Sequence, residues 1–418
     1  MSKLIPFAMI LVLLAGSAPA ADVEDTTTDE PIIDLFEKSD DSIPLDSRDP
    51  SLNLMNLFRD PDNNPKREPG PINIQKAVGG LMYQGIPTFF RLPVALGPED
   101  LKAGKVEVAF MGASQDLSTG QRGTAYGPQA VRTGEIVGGW GELMPLSHPQ
   151  AGDVDFTKVL TCVDYGDAPI DILSGERSVL PVHKMVKEIA EAGAIPVIVG
   201  GDHSLMYPDV VAVTDVYGKG NVGVIHFDAH FDGIPLLFGH YLSHGAPVRR
   251  VIDEGHVKGR NFVQIGLNSV KPGKKDIEWM RENDVRYHFI HEFDEKGWKA
   301  VLEEAIAEAT DGVDYLFISV DTDCLDPAFA PGMGTPEPGG MTLRELFPML
   351  RAIGTQAKVV GVEMVEVNPI ADPTYRSGQV GVRILREIMT GIALGKMGIT
   401  DPYYIDPLWK DHGGPLED

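Results

Sequence analysis

Residue types with metal and proton chemistry gather in three short stretches of the 418-residue chain: Gly200-Gly201-Asp202-His203-Ser204, Asp228-Ala229-His230-Phe231-Asp232 and Asp321-Thr322-Asp323. Each follows a Val- and Ile-rich run that reads as a buried strand, over 195–199, 222–227 and 315–320. A lone Asp-x-Asp is usually a turn or a helix cap, and a lone His past a strand is usually a satisfied structural residue. Three such strand ends together are different, because carboxylates crowded at one rim are costly unless cations neutralise them. A period of two sends Asp228, His230 and Asp232 toward one side. Four carboxylates, Asp228, Asp232, Asp321 and Asp323, with two neutral imidazoles, His203 and His230, would balance two divalent ions in charge. Oxygen mixed with imidazole suits manganese, leaves nickel, cobalt or iron open, and without thiolate argues against structural zinc. Two divalent ions sharing a water can lower its pKa toward neutrality, which is hydrolytic chemistry.

His226 shares the parity of Asp228 but lies further back, so a supporting or core role is expected for it. Cys162 and Cys324 cannot form a disulfide framework and read as buried small residues.

The elements that must position these residues follow from the apolar pattern. From about Val106 onward, strand-like runs over 106–111, 159–163, 195–199, 222–227, 262–265, 315–320 and 359–365 alternate with helix-like stretches over 179–192, 298–309, 343–353 and 378–394. Short, continuously apolar strands are those buried on both faces, so one α/β domain with a mostly parallel sheet is predicted. Ligands of such sheets bind beyond the carboxyl ends of the strands, where the acidic and imidazole residues fall.

With 36 basic against 61 acidic residues and a net charge of -25, the chain has no footprint for nucleic acid. Residues 1–20 place Lys3, an apolar run and Ala18-Pro19-Ala20 in the order of a signal peptide, too short to span a bilayer comfortably. An exported protein, periplasmic or secreted and free of the membrane after cleavage, is expected. Residues 21–70 form an acidic extension, with thirteen acidic and three basic residues between Asp22 and Asp62, which should be loop-rich or dock through apolar patches. The catalytic domain is placed at 71–418.

The motif segments resemble the ureohydrolase family, the binuclear-metal enzymes that include arginase, agmatinase and other guanidino-group hydrolases. The likeness rests on the three stretches above, on the run from Leu325-Asp326-Pro327 through Gly334-Thr335-Pro336 to Gly339-Gly340, on Val365-Glu366-Val367-Asn368-Pro369 and on Gly127-Pro128-Gln129-Ala130-Val131-Arg132. It extends from about Gly85 to Leu394. The resemblance implies a three-layer α/β/α fold with a mostly parallel central sheet and a binuclear manganese cluster. His203 and Asp232 would then serve one ion, His230 and Asp323 the other, with Asp228 and Asp321 bridging. It also implies that Glu366 binds the guanidinium, that Asp232 hydrogen-bonds a metal-bridging hydroxide attacking the guanidinium carbon, and that His244 shuttles the leaving-group proton, although His240 lies close by. Relatives of this kind are trimers or hexamers, and a homo-oligomer is expected.

The substrate reading is agmatinase-like, agmatine to putrescine and urea. Arginases carry polar residues after the second aspartate motif to hold the amino acid's α-groups, whereas here Asp232 is followed by Gly233-Ile234-Pro235-Leu236-Leu237-Phe238. The bulk of Phe231 and this apolar loop also suggest a narrower pocket, for free or methylated guanidine or a short guanidino acid such as guanidinobutyrate. A non-catalytic metal-binding scaffold is disfavoured, because every position of the pattern carries a competent side chain.

Overall fold

The computed structural model describes residues 67–75, 85–118, 120–135 and 146–410. Among them the chain forms strands β1 (Val108–Ala113), β2 (Ser147–His148), β3 (Val154–Asp155), β4 (Cys162–Asp167), β5 (Ile195–Gly200), β6 (Val222–Phe227), β7 (Phe262–Leu267), β8 (Arg286–Phe289), β9 (Tyr315–Asp321) and β10 (Val359–Val365). Eight of them make one sheet in the order β4-β1-β5-β10-β9-β6-β7-β8, parallel throughout, while β2 and β3 pair as a small antiparallel ribbon.

Every residue of β1, β6, β7 and β10 is buried, as the continuous apolar runs require when both faces of a sheet are covered. Alternation along β6 sends Ile225 and Phe227 into the layer with helices Trp298–Ala309, Leu343–Gln356 and Arg376–Lys396. Val222 and Val224 enter the opposite layer, with helices Gly175–Glu191, Met206–Tyr217 and Pro247–Asp253. The architecture is the predicted three-layer α/β/α. Each such apolar side chain removed from water is worth about 1.5–3 kcal/mol.

Chain order explains where a site can form. The chain lays down β1, β4 and β5 on one side of the sheet and β6, β7 and β8 on the other, then returns to insert β9 and β10 between them. The carboxyl ends of β5, β10, β9 and β6 therefore stand side by side at the reversal of strand order, where open α/β sheets bind ligands.

Several boundaries differ from the sequence reading. Val159 ends a short helix, Phe156–Val159, because the Asp155 side chain caps it by accepting the Thr157 N–H at 3.0 Å; the strand begins only at Cys162. β8 and the helix Met206–Tyr217 were not among the predicted elements. The helix is buried along most of its length, so it carries little amphipathic period to read. No helix among the described residues is long and apolar enough to cross a membrane. The predicted leader at 1–20 and residues 21–66 of the predicted acidic extension lie outside the described residues. The end of that extension is pinned to the domain: Asp100 pairs with Arg67 at 2.5 Å and accepts the Gly70 N–H at 2.8 Å.

Candidate metal centre and active site

Each ligand candidate stands at or just past one of the four adjacent strand ends. His203 opens the 3-10 turn after β5, Asp228 follows β6, Asp321 ends β9 with Asp323 in the next turn, and Glu366 follows β10. Short local bonds aim the carboxylates. Asp321 Oδ1 accepts the Asp323 N–H at 2.9 Å and Asp228 Oδ1 the His230 N–H at 2.5 Å. The approach of β5 needs glycine at 201, where φ is +57° and a Cβ would lie 2.4 Å from the Ala113 carbonyl oxygen. Asp232 and Glu366 hold left-handed backbone themselves, with φ of 47° and 64°, a conformation that costs a non-glycine residue about 1–3 kcal/mol. Alternation along a strand is thus not what brings Asp228, His230 and Asp232 together. β6 ends at Phe227, and the convergence comes from the loop beyond it.

Two groups of donors result. His203 Nδ1 lies 2.9 Å from Asp232 Oδ2, 3.1 Å from Asp228 Oδ2 and 3.2 Å from Asp321 Oδ2. His230 Nδ1 lies 2.9 Å from Asp323 Oδ2 and 3.5 Å from Asp228 Oδ1. Asp228 belongs to both groups, one oxygen to each, whereas Asp321 falls in the first. His203 Nδ1 and Asp228 Oδ2 are buried without a hydrogen-bond partner, so the three oxygens near Nδ1 converge on it without hydrogen-bond alignment. That is the arrangement of atoms that share a cation. Burial and then the Asp228 charge push the Asp323 carboxyl up to about 7, and burial with the charges of Asp323 and Asp228 holds Asp321 well above the usual carboxylate range. Oxygen-rich donors with one imidazole per group fit two hard or borderline divalent ions.

Glu366 is fully buried beside this centre, and its Oε1 accepts the His203 backbone N–H at 3.0 Å. Burial, then the charges of Asp202 and Asp323, raise its carboxyl well above the ordinary value. His244 Nδ1 stands 3.9 Å from Glu366 Oε1. His240 instead faces Glu176, with Nδ1 3.4 Å from its Oε1, which separates the two histidines that the sequence left close.

His244 lines a cavity of about 500 Å³ together with Ser118, Leu173, Glu176, Leu237 and Phe238, among others. Among the described residues no Lys or Arg lines it. Phe231 does not narrow this pocket. Its ring is buried and packs edge-on against Trp279 at 5.8 Å, on the helix side of the loop. Arg249 backs that contact, stacking 4.1 Å over Trp279 and donating to the Gly233 carbonyl at 2.9 Å. Of the apolar loop, Leu237 and Phe238 reach the cavity. The sequence reading missed Glu176, and also Glu337, whose Oε1 lies 3.4 Å from His230 Nε2. Neither carries a local signal, since each meets its partner only through the fold. Cys162 and Cys324 are buried and free, and burial pushes both thiols up.

The model of the arginase family matches residues 106–391. The chain is 32% identical to guanidinobutyrase of Pseudomonas aeruginosa, over 76% of this chain and 96% of that protein. It is 31% identical to the mitochondrial agmatinase of Gallus gallus, over 73% of this chain and 85% of that one. Among solved structures, Trypanosoma cruzi formiminoglutamase with Mn2+ superposes with a TM-score of 0.62 at 26% identity, covering 69% of this chain and 94% of the other. A sheet order that brings four acid-bearing strand ends together, and sequence likeness across the same span, lead to one assignment: the chain belongs to the arginase family, hydrolases of guanidino C–N bonds.

Proposed function

We propose that the protein hydrolyses agmatine, with water, to putrescine and urea. The observation that carries the choice of substrate is the cavity wall, which among the described residues offers the Glu176 carboxylate and no Lys or Arg. An ammonium tail finds a countercharge there, whereas the carboxylate tail of a guanidino acid meets a like charge. Leu173, Leu237 and Phe238 suit the methylenes between the two ends. With Phe231 turned into the core, the motive for a pocket restricted to free guanidine is reduced to the loop alone.

His203, Asp232, Asp228, Asp321, His230 and Asp323 would hold two divalent cations, manganese by donor type, with nickel as the second choice. Such a pair supplies a water nucleophile of lowered pKa at neutral pH. Glu366 holds the planar guanidinium through charge-assisted hydrogen bonds, and the substrate's positive charge offsets the burial of its carboxylate. Asp232, the aspartate nearest His203, would orient the nucleophile by accepting a hydrogen bond from it. His244, 21% exposed and 3.9 Å from Glu366, delivers a proton to the departing amine nitrogen.

The deciding measurement is turnover of agmatine, 4-guanidinobutyrate, arginine and guanidine by protein loaded separately with Mn2+ and Ni2+. Agmatine is expected to lead guanidinobutyrate in kcat/KM by at least about tenfold, and Glu176→Gln to erase that lead. A preference for guanidinobutyrate would overturn the choice of substrate while leaving the hydrolase chemistry standing. Export and a trimeric or hexameric assembly belong to the same proposal; the mature N-terminus and light scattering test them.

A further inference from the structure

The geometry points to His226 as a positioning residue that presents a fixed Nε2–H to Asp228, and not as a seventh metal ligand; the inference rests on the two-cation reading above. By distance alone His226 qualifies as a ligand, for His203, His226 and Asp228 bring donor atoms together closely enough to hold an ion. It stands on β6, fully buried, its ring 4.9 Å from that of His203 and 5.7 Å from that of Phe262.

Gln264, on the neighbouring strand and in register with His226, decides between the two roles. The Gln264 side-chain nitrogen lies 2.8 Å from the Phe231 carbonyl oxygen and 3.0 Å from His226 Nδ1. A carbonyl can only accept, so the end of the amide that faces it must be the NH2 group. Its second hydrogen then points at Nδ1, which must accept and so carries no proton. The imidazole is left with its single proton on Nε2, and a protonated Nε2 has no lone pair for a cation. The nearest acceptor to Nε2 is Asp228 Oδ2, at 2.9 Å and out of line with the N–H, so the attraction is between a charge and a dipole. That same Oδ2 faces His203 Nδ1, while Oδ1 faces His230. The Nε2–H therefore biases the one carboxylate common to both donor groups, and Phe231, Gln264 and His226 transmit the position of the ligand loop's own backbone to it. Groups outside the ligand shell that orient ligands typically alter metal affinity 10- to 100-fold.

Two substitutions separate positioning from packing and from ligation. His226→Phe keeps the ring stack and removes the donor; His226→Gln removes the ring and keeps an N–H near the place of Nε2. Binding of Mn2+ to each chelator-stripped protein is followed by titration calorimetry, with unfolding temperatures in chelator as the control. The expected result is two ions per chain in all three proteins, affinity lowered about 10- to 100-fold in His226→Phe, and most of it restored in His226→Gln. Should His226→Phe fail to fold, Gln264→Glu takes its place. A carboxylate there forces the proton onto Nδ1, and the same loss of affinity is expected. Wild-type affinity in His226→Phe or Gln264→Glu would overturn the inference in favour of packing. A stoichiometry reduced from two ions to one in both His226 variants would overturn it in favour of ligation. Wild-type protein that binds no divalent cation would overturn the metal reading itself, which this titration distinguishes from the others.

Discussion

The carboxylate of Glu366 accepts the backbone N–H of His203 at 3.0 Å, so the residue proposed to hold the guanidinium is tied to the first residue of the proposed metal-ligand set. The tie is reciprocated, because the Glu366 N–H donates to the Gly201 carbonyl at 2.8 Å. The ends of β5 and β10 are thereby fastened together.

Glu366→Gln keeps the shape and the acceptor for His203 but removes the countercharge for a guanidinium. The expected outcome is a loss of about 10²–10³ in kcat/KM, comparable to removing one group that stabilises transition-state charge. Metal content should remain at two ions per chain. Steady-state kinetics beside elemental analysis checks both, and near-normal turnover would remove Glu366 from the active site.

Metal-stripped protein should lose stability as pH rises. Asp323 and Asp321 have folded-state pKa values above those of the unfolded chain, so their contribution is complete below the unfolded carboxylate range and declines as pH rises, that of Asp323 as pH climbs through about 7. Added Mn2+ should reverse the trend, since it binds the deprotonated donors. Thermal unfolding from pH 5 to 9, with chelator and with Mn2+, gives the two slopes; parallel curves would contradict the donor set.

Asp209, fully buried on the helix Met206–Tyr217, has its carboxyl raised well above the ordinary value by burial and then by the Glu363 charge, and both its oxygens lack a hydrogen-bond donor. Its proton is therefore held more tightly in the folded state, and the stability this confers declines with rising pH. Asp209→Asn, which cannot ionise, should gain in stability relative to wild type from pH 6 to pH 9 in urea denaturation. Equal stability at both pH values would show that Asp209 does not ionise in that range.

A buried network that shares no residue with the centre should matter to stability alone. Glu387 receives Arg351 at 2.5 Å, Arg383 at 2.8 Å and His148 at 3.0 Å, tying helices Leu343–Gln356 and Arg376–Lys396 to β2. Against the cost of burial, those partners lower the Glu387 carboxyl to about 2, so its contribution persists above the usual carboxylate range and fades only in strong acid. Glu387→Ala leaves buried guanidinium charge unpaired and should cost about 3–5 kcal/mol with unchanged Mn2+ stoichiometry. Chemical denaturation measures the first and calorimetry the second.

Much of the centre was legible because its residues are local to strand ends. Asp228 directly follows the six-residue strand β6, apolar but for His226, and Asp321 closes β9, so the strand runs already announced where each acid would emerge. Phe231 misled, because an aromatic beside two ligands reads as pocket wall until Trp279, some fifty residues on, is seen to receive it. His240 and His244 could not be separated for the same reason. Their partners, Glu176 and Glu366, come from opposite sides in chain order.

The amino-acid sequence alone determined the class of fold and the chemical character of the centre, because strand periodicity and donor type are properties of neighbouring residues. Only the tertiary structure decided which oxygen serves which group, that Phe231 faces the core, and that the Glu176 carboxylate, beside His240, stands at the cavity wall. Those facts depend on the order in which parallel strands take their places in the sheet, and strand order is set by packing among residues scores to hundreds of positions apart.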